Sequence, residues 1–382
     1  MSSKVPLDAK VYKSKDQTSL SMKDLLEYFT RKGPMRVSDL HIKPGCPPIY
    51  RVDGQLERAS MLDLDAETAE ALVSSLLSDP EVDALHRDGS VDSSCETGSM
   101  HFRLNCFHEN DGFAAAVRAL EHSPPPVEEI GFPNGVWGDI LNMQQGLVLV
   151  AGITGAGKST TIASLIDRIT SFRPCRIITL EDPIEYRLPS RKAIISQREV
   201  GRDTPSFQRG LRDCLREDPE VIFVGEMRDA ESTAWTLTAA ETGHLVFSTL
   251  HTRDARGTVT RVLDMFPPSR QSEVSSQLSL GLAYVICQKL LPRSDGQGRV
   301  VAMEILHNTY GVANLIRNGK IEQIYSQLQT RTRDVPQERM ITLERSLAML
   351  AGAGKVEPKA AEMWANDRNS FLDELKRVRH RR

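Results

Sequence analysis

The spacing of apolar residues along the chain changes near residue 123. Before that point, short segments alternate apolar and polar residues, as half-buried strands do, and helical patterns lie between them. Strands are predicted at 38–43, 48–52 and 100–107, and helices at 21–31, 66–78 and 80–86. The pair Asp53-Gly54 is typical of a hairpin turn, because both residues tolerate positive φ. Residues 114–120 fit a helix by their alanines and a strand by their alternation.

After residue 123, continuous apolar runs replace the alternation. They recur with a helical pattern after each one, at 147–151, 176–180, 221–224 and 245–249. Such runs are typical of strands in a parallel sheet that helices cover on both faces. From residue 267 onward the pattern is mostly helical, and 283–291 and 299–305 are compatible with further strands. The second part of the chain therefore predicts an α/β domain.

Three consecutive prolines at 124–126 mark the boundary between the two parts. Proline forbids a helix interior and favours a stiff, extended segment. We therefore predict a linker at 123–133, between an α+β domain at 21–122 and an α/β domain at 134–382 whose helical portion begins at about 267. The polar residues 1–20 are expected to be flexible.

Composition and charge narrow the classes of protein. The formal net charge of −3 over 382 residues gives no sign of a nucleic-acid binder. The N-terminus lacks the apolar stretch of a secretory signal, and no apolar run approaches the roughly 18 residues that span a bilayer. The six cysteines form no CxxC pair, which argues against a zinc ribbon and a disulfide framework. We expect a cytoplasmic protein.

The segment 152–159 matches the pattern G-x-x-x-x-G-K-[ST] at every position. It follows an apolar strand and opens a predicted helix, which is the context that makes the motif specific. Glycines let successive backbone N–H groups curl around phosphate oxygens, and the helix N-terminus adds its positive end. We predict an ATP site that also takes Mg²⁺, with these residues around the phosphates: Gly152, Ile153, Thr154, Gly155, Ala156, Gly157, Lys158, Ser159 and Thr160.

Within this motif, Lys158 is suited to the β- and γ-phosphates and Ser159 to Mg²⁺. A second apolar strand, 221–224, ends in Gly225-Glu226. Glycine stands where a Walker B strand carries its Mg²⁺-holding aspartate. We therefore predict that Glu226 orients or deprotonates the attacking water. The alternative is a solvated glutamate at a strand end.

Three more carboxylates follow the strand at 176–180. They are Glu181, Asp182 and Glu185. The carboxyl ends of parallel strands line the ligand crevice, so carboxylates there suit Mg²⁺ and the positioning of water. We predict catalytic roles for the two glutamates and a metal role for Asp182. An acidic turn in solvent is the alternative.

Two histidines, His244 and His251, flank the apolar strand at 245–249. We predict that both report the phosphate state of the nucleotide, one of them directly, although a histidine in a core is often structural. Metal binding is not expected, because no cysteine or further histidine completes a ligand set.

The order of these four elements resembles that of the type II/IV secretion ATPase family, with its Walker A motif, acidic box, divergent Walker B motif and histidine box. The similarity covers roughly residues 20–370 and is strongest to the PilT-type pilus retraction ATPases. The stretches that carry it are SDLH at 38–41, QREVG at 197–201, LREDPE at 215–220, GEMRD at 225–229, NLIR at 314–317 and IYS at 324–326.

The resemblance implies a fold and an assembly. Members of the family have a PAS-like N-terminal domain and a RecA-like P-loop NTPase core, form ring hexamers, and act on a platform protein at the cytoplasmic face of the inner membrane. N-terminal arginines approach the phosphates, and the matching positions are Arg103 and Arg118. By the same resemblance, 114–120 should be a strand. The implied activity is ATP hydrolysis that drives type IV pilus retraction and twitching motility.

The chain departs from the family pattern at two positions. Ile153 replaces the usual proline of the P-loop, and Ala313 replaces the first arginine of the retraction branch's helix motif. The second change keeps open an accessory ATP-binding subunit of a pilus motor, or an ATPase of a type II or type IV secretion system. The four-cysteine insertion and longer N-terminal region of extension and type II secretion relatives are not found in the sequence, which favours the retraction branch.

Overall fold

A computed structural model describes residues 5–14, 18–31, 37–52, 55–97, 100–120, 123–296 and 298–380. The chain divides into two compact units, Met1–His122 and Ser123–Arg382. The predicted turn at Asp53-Gly54 lies outside the described residues. Within the described part of the chain, no helix combines the length and the apolar character that crossing a bilayer requires.

In its described residues, the first unit has two sheets and three helices. The helices are α1 (Met22–Arg31), α2 (Ala66–Ser75) and α3 (Asp79–Asp88). The strands are β1 (Tyr12–Lys13), β2 (Ser19–Leu20), β3 (Val37–Ile42), β4 (Ile49–Val52), β5 (Gln55–Arg58), β6 (Ser90–Thr97), β7 (Met100–Glu109) and β8 (Gly112–Leu120). Strands β3 to β8 form an antiparallel sheet in the order β5-β4-β3-β8-β7-β6.

Alternation along these strands separates a buried face from a polar one. On β3, Leu40 and Ile42 are buried in the core of this unit. The residues that alternate with them, Asp39 and His41, belong to the opposite face of the pleated strand. Strand β8 confirms the expectation that 114–120 is extended.

Within residues 1–20, which we predicted to be flexible, the described residues 5–14 and 18–20 include two paired strands. Strand β1 pairs with β2, and Tyr12 is 3% exposed. The Tyr12 hydroxyl donates a hydrogen bond to the carbonyl of Leu62 at 2.5 Å. An aromatic side chain with a satisfied hydroxyl anchors this segment in the core, which the polar composition around it concealed.

The second unit has eleven helices and seven strands in its described residues. The helices are α4 (Val136–Asn142), α5 (Lys158–Phe172), α6 (Phe207–Cys214), α7 (Ala230–Glu241), α8 (Ala255–Asp264), α9 (Pro268–Gly281), α10 (Tyr310–Arg317), α11 (Ile324–Asp334), α12 (Leu343–Gly352), α13 (Pro358–Trp364) and α14 (Arg368–His380). The strands are β9 (Gly146–Ala151), β10 (Arg176–Glu181), β11 (Ile194–Glu199), β12 (Val221–Val224), β13 (Leu245–Leu250), β14 (Leu282–Pro292) and β15 (Arg299–His307).

These strands form one sheet in the order β11-β10-β12-β13-β9-β14-β15. All neighbours are parallel except β14 and β15. Every residue of β9 and β13 is buried, because helices cover both faces of the sheet. The parallel register brings the carboxyl ends of β9, β10, β12 and β13 to one edge, where the P-loop begins. The sheet confirms the predicted RecA-like α/β core.

Strand β11 was not predicted from the sequence. It lies at an edge of the sheet, and only Glu199 of its six residues is buried. An edge strand with polar residues lacks the apolar run that identified its neighbours.

Candidate active site

The P-loop joins the end of β9 to the start of α5. Gly152 has φ +153° and Gly157 has φ +85°, values that side-chain-bearing residues rarely adopt. A Cβ on Gly152 would also lie 2.6 Å from the carbonyl oxygen of Gln288 on β14. The first glycine of the motif is therefore required by the close approach of a neighbouring strand as well as by its backbone conformation.

Lys158 is buried at the first position of α5. Its Nζ donates to the carbonyl oxygens of Gly152 at 2.9 Å and Ile153 at 3.3 Å. Nζ also lies 3.5 Å from Nδ1 of His251. The ammonium group is thus held inside the curl of the P-loop, at the positive end of the helix, where phosphate would bind.

Burial lowers the pKa of Lys158, and the charges of Glu226 and Glu185 oppose that effect. The two carboxylates therefore lie close enough to favour the charged ammonium. This places Glu226 and Glu185 beside the P-loop lysine, although they come from different strand ends.

Glu226 follows β12 and is linked to both a histidine and an arginine. Its Oε1 lies 3.4 Å from Nε2 of His251, and its Oε2 accepts a hydrogen bond from Nε of Arg228 at 2.9 Å. An ammonium can only donate, so Nδ1 of His251 faces Lys158 as an acceptor and Nε2 carries the proton. His251 therefore bridges Lys158 to Glu226, and we call these three residues the Lys158–His251–Glu226 cluster.

Glu181 is held within the sheet. Its Oε1 accepts hydrogen bonds from Thr179 Oγ1 at 2.6 Å and Gln197 Nε2 at 3.1 Å. Burial raises the pKa of Glu181 to about 7, and the charge of Glu185 acts in the same direction. This carboxyl is therefore poised to exchange a proton near neutral pH. Gln197, which orients it, stands in the QREVG stretch, but we predicted no role for it because β11 was not predicted.

The residues around the P-loop fit Mg²⁺ held mainly by a nucleotide. Ser159 is the second residue of α5, and Asp182 follows β10 at the same edge of the sheet. Asp182 Oδ2 accepts from Arg228 Nη1 at 3.1 Å. No three His, Cys, Asp or Glu side chains of the described residues are grouped to hold a metal ion. A small number of oxygen ligands from the protein suits Mg²⁺, because this ion also binds nucleotide phosphates and retains water molecules.

Thr160, the last residue predicted to contact the nucleotide, makes a side-chain hydrogen bond within the second unit. Its Oγ1 shares a hydrogen bond with the hydroxyl of Tyr186 at 2.9 Å. Arg228 and Tyr186 are two further residues of the site for which we predicted no role. Arg228 stands in the GEMRD stretch, and that stretch was the available signal.

The structure places His244 away from the P-loop. Its carbonyl accepts from Gly146 N at 2.9 Å, at the start of β9, whereas the P-loop follows the end of β9. Its ring Nδ1 lies 2.9 Å from the carbonyl of Ala239. A six-residue strand spans about 20 Å, so His244 and His251 lie at opposite edges of the sheet. His244 does not contact the site of its own chain.

Arg103 and Arg118 belong to the first unit. They are cross-strand neighbours on β7 and β8, and both are exposed. Nε of Arg118 donates to Oδ1 of buried Asp39 at 2.8 Å, and Nε of Arg51 lies 3.6 Å from Oδ2. One buried carboxylate, that of Asp39, thus contacts both Arg118 and Arg51.

The fold and the site together define a P-loop ATPase. A phosphate-binding loop, a buried lysine and a strand-end glutamate linked through a histidine are the parts that ATP hydrolysis requires. The sequence model of the Type II/IV secretion system protein family matches residues 21–335. The chain belongs to this family.

Relatives cover most of the chain. A type IV pilus retraction ATPase, PilT, from Pseudomonas aeruginosa is 42% identical over 312 residues, which are 81% of this chain and 89% of that protein. A twitching motility protein from Neisseria gonorrhoeae is 42% identical over 327 residues, 85% of this chain and 86% of that protein. The crystal structure of the pilus retraction motor PilT with bound ADP has a TM-score of 0.85 at 39% identity and covers 93% of this chain and 100% of that one.

Replacing Glu226 by glutamine should separate binding from hydrolysis. The amide cannot act as a base, so we expect ATP binding to persist and the hydrolysis rate to fall by about 10²- to 10⁴-fold. Phosphate release and nucleotide affinity measured on the same preparation check this. Lys158→Ala is the matched control, with both binding and turnover lost. Normal turnover in Glu226→Gln would remove that residue from the water-handling role.

Glu181→Gln should change how stability depends on pH. The folded-state pKa of Glu181 is raised from 4.5 to about 7, so the native protein loses stability as pH rises through this window. Glutamine does not titrate there. We expect the free energy of unfolding of the variant, relative to wild type, to increase between pH 5 and about 7 and then level off. Urea unfolding measures it, with Glu357→Gln at an exposed position as control. A difference that does not change with pH would contradict this.

Proposed function

We propose that the chain is a homohexameric motor that hydrolyses ATP with Mg²⁺ and drives retraction of a type IV pilus, and hence twitching motility. The observation that carries this proposal is the 42% identity to a pilus retraction ATPase over 81% of the chain. The complete P-loop and the Lys158–His251–Glu226 cluster support ATP turnover by this chain itself.

In this mechanism the P-loop amides and Lys158 bind the phosphates. Ser159 and Asp182 would hold Mg²⁺, which neutralises phosphate charge when it is bound. Glu226 orients and deprotonates the attacking water, while His251 links its carboxylate to the lysine. Glu185 adds negative charge at the same edge, and the carboxyl of Glu181, with its raised pKa, can exchange a proton near neutral pH.

Arg103 and Arg118 are proposed to reach the nucleotide and stabilise charge that develops on the γ-phosphate. Their exposure on the polar face of their sheet, and the buried Asp39 that orders Arg118, support this role. Closure of two units around a nucleotide would convert its state into movement. We place the motor at the cytoplasmic face of the inner membrane, acting on a platform protein and not on nucleic acid.

One observation favours a second candidate. Ala313 on α10 stands where the retraction branch carries an arginine, so an accessory ATP-binding subunit of a pilus motor is the alternative. That alternative predicts saturable ATP binding by the purified chain without phosphate release. An ATPase of a type II or type IV secretion system is a further alternative, for which no residue in the site argues specifically.

Deletion of the gene in its own organism tests the proposal. Loss of a retraction motor should abolish twitching and increase the number of pili on the cell surface, because assembled pili are no longer withdrawn. Wild-type chain should restore both properties. Lys158→Ala should restore neither, although it is expected to accumulate to the same level. Cells that lack pili after the deletion, or twitching restored by Lys158→Ala, would contradict the proposal.

A further inference from the structure

Gln288 on β14 is buried beside the P-loop, and no role has been assigned to it above. It is 2% exposed. Its backbone pairs with Met303 on β15, one position beyond the last pair between β14 and β9, Cys287 with Ala151. Because β9 and β14 are parallel, this register places Gln288 at the level at which β9 becomes the P-loop. The strand on its other side holds it there.

The side-chain amide of Gln288 makes two hydrogen bonds, one from its nitrogen to the P-loop and one through its oxygen to helix α5. Nε2 donates to the carbonyl oxygen of Ala156 at 2.6 Å, and Oε1 accepts from the hydroxyl of Thr161 at 3.0 Å. Thr161 itself is buried on α5. A glutamine whose donor and acceptor are both satisfied in a buried site has one preferred orientation. Gln288 therefore ties the loop to the first turn of the helix.

The bond to Ala156 fixes the direction of a peptide plane. In a trans peptide, the carbonyl of one residue and the N–H of the next point in opposite directions. Gripping the carbonyl of Ala156 from β14 thus turns the N–H of Gly157 away from β14. Gly157 is the residue immediately before Lys158, and its φ of +85° belongs to the same turn. In a P-loop, N–H groups that turn inward are those that bind phosphate oxygens.

We propose that Gln288 is a positioning residue for the phosphate cradle, which aims the N–H of Gly157 at the β-phosphate through its bond to the carbonyl of Ala156. The inference rests on the nucleotide binding that the proposed function requires. It adds to that function a residue more than 120 positions away from the P-loop in sequence, on a strand outside the four motifs.

Gln288→Met tests this inference. Methionine has a similar length but can neither donate to Ala156 nor accept from Thr161. One misdirected donor to a charged group should weaken ADP binding by about tenfold or more. AMP has no β-phosphate, so its affinity should change less, and the preference for ADP over AMP should fall. A residue needed only for folding would not alter that preference.

Two further variants sharpen the result. Thr161→Val removes one of the two bonds but leaves the grip on Ala156, so we expect a smaller loss of ADP affinity than in Gln288→Met. Gln271→Met is the matched control, because Gln271 Nε2 also donates to a backbone carbonyl, that of Phe266, but at the start of α9. ADP affinity should be unchanged in this control.

Gln288→Glu adds a pH readout. A protonated carboxyl can donate to the carbonyl of Ala156, whereas an ionised carboxylate cannot and would repel it. ADP affinity of this variant, measured relative to wild type at each pH, should therefore fall as pH rises from 6 to 9.

Isothermal titration with ADP and AMP provides all these values. ADP affinity in Gln288→Met within twofold of wild type, or an equal loss for ADP and AMP, would overturn the positioning role while leaving the proposed function intact. Failure of the wild-type chain to bind ADP would overturn both.

Discussion

The site depends on the placement of one buried ammonium group. Lys158 is held by carbonyls of its own loop, and burial alone would favour loss of its proton. The charges of two carboxylates that follow other strands, Glu226 and Glu185, oppose that effect in part. These contacts therefore require that β9, β10, β12 and β13 end at the same edge, which the parallel register ensures. The parallel order of the strands is therefore what brings these charged side chains close enough to interact.

Arg228 and His251 connect the parts of this edge. Arg228 bridges Glu226 to Asp182, and His251 bridges Glu226 to Lys158. Contacts to Arg228 and His251 limit the movement of Glu226 and leave its side chain 23% exposed, accessible to water. A carboxylate that must orient a water molecule benefits from such restraint, because proximity and orientation supply much of the effect of a general base.

Much of the fold and part of the site could be predicted from the sequence. The apolar runs identified β9, β10, β12 and β13, and the P-loop pattern identified its residues, because both signals are local and specific. Local signals could not identify strand β11, the anchoring of Tyr12 or the distance of His244 from the P-loop. Each depends on contacts between distant segments: an edge position, a core filled by the rest of the unit, and the direction of a strand relative to the P-loop. Gln288 was missed for the same reason, since nothing in its neighbourhood in sequence marks it.

We infer that Lys158 and Glu226 stabilise each other across the P-loop through His251. A double-mutant cycle with Lys158→Met and Glu226→Gln, measured by urea unfolding in the absence of nucleotide, tests it most directly. Contacting charged residues in one network couple by about 0.5–3 kcal/mol. We predict a favourable coupling of about 1 kcal/mol that decreases in Lys158→Met and Glu226→Gln made on a His251→Ala background. Strictly additive effects on the free energy of unfolding would contradict the account.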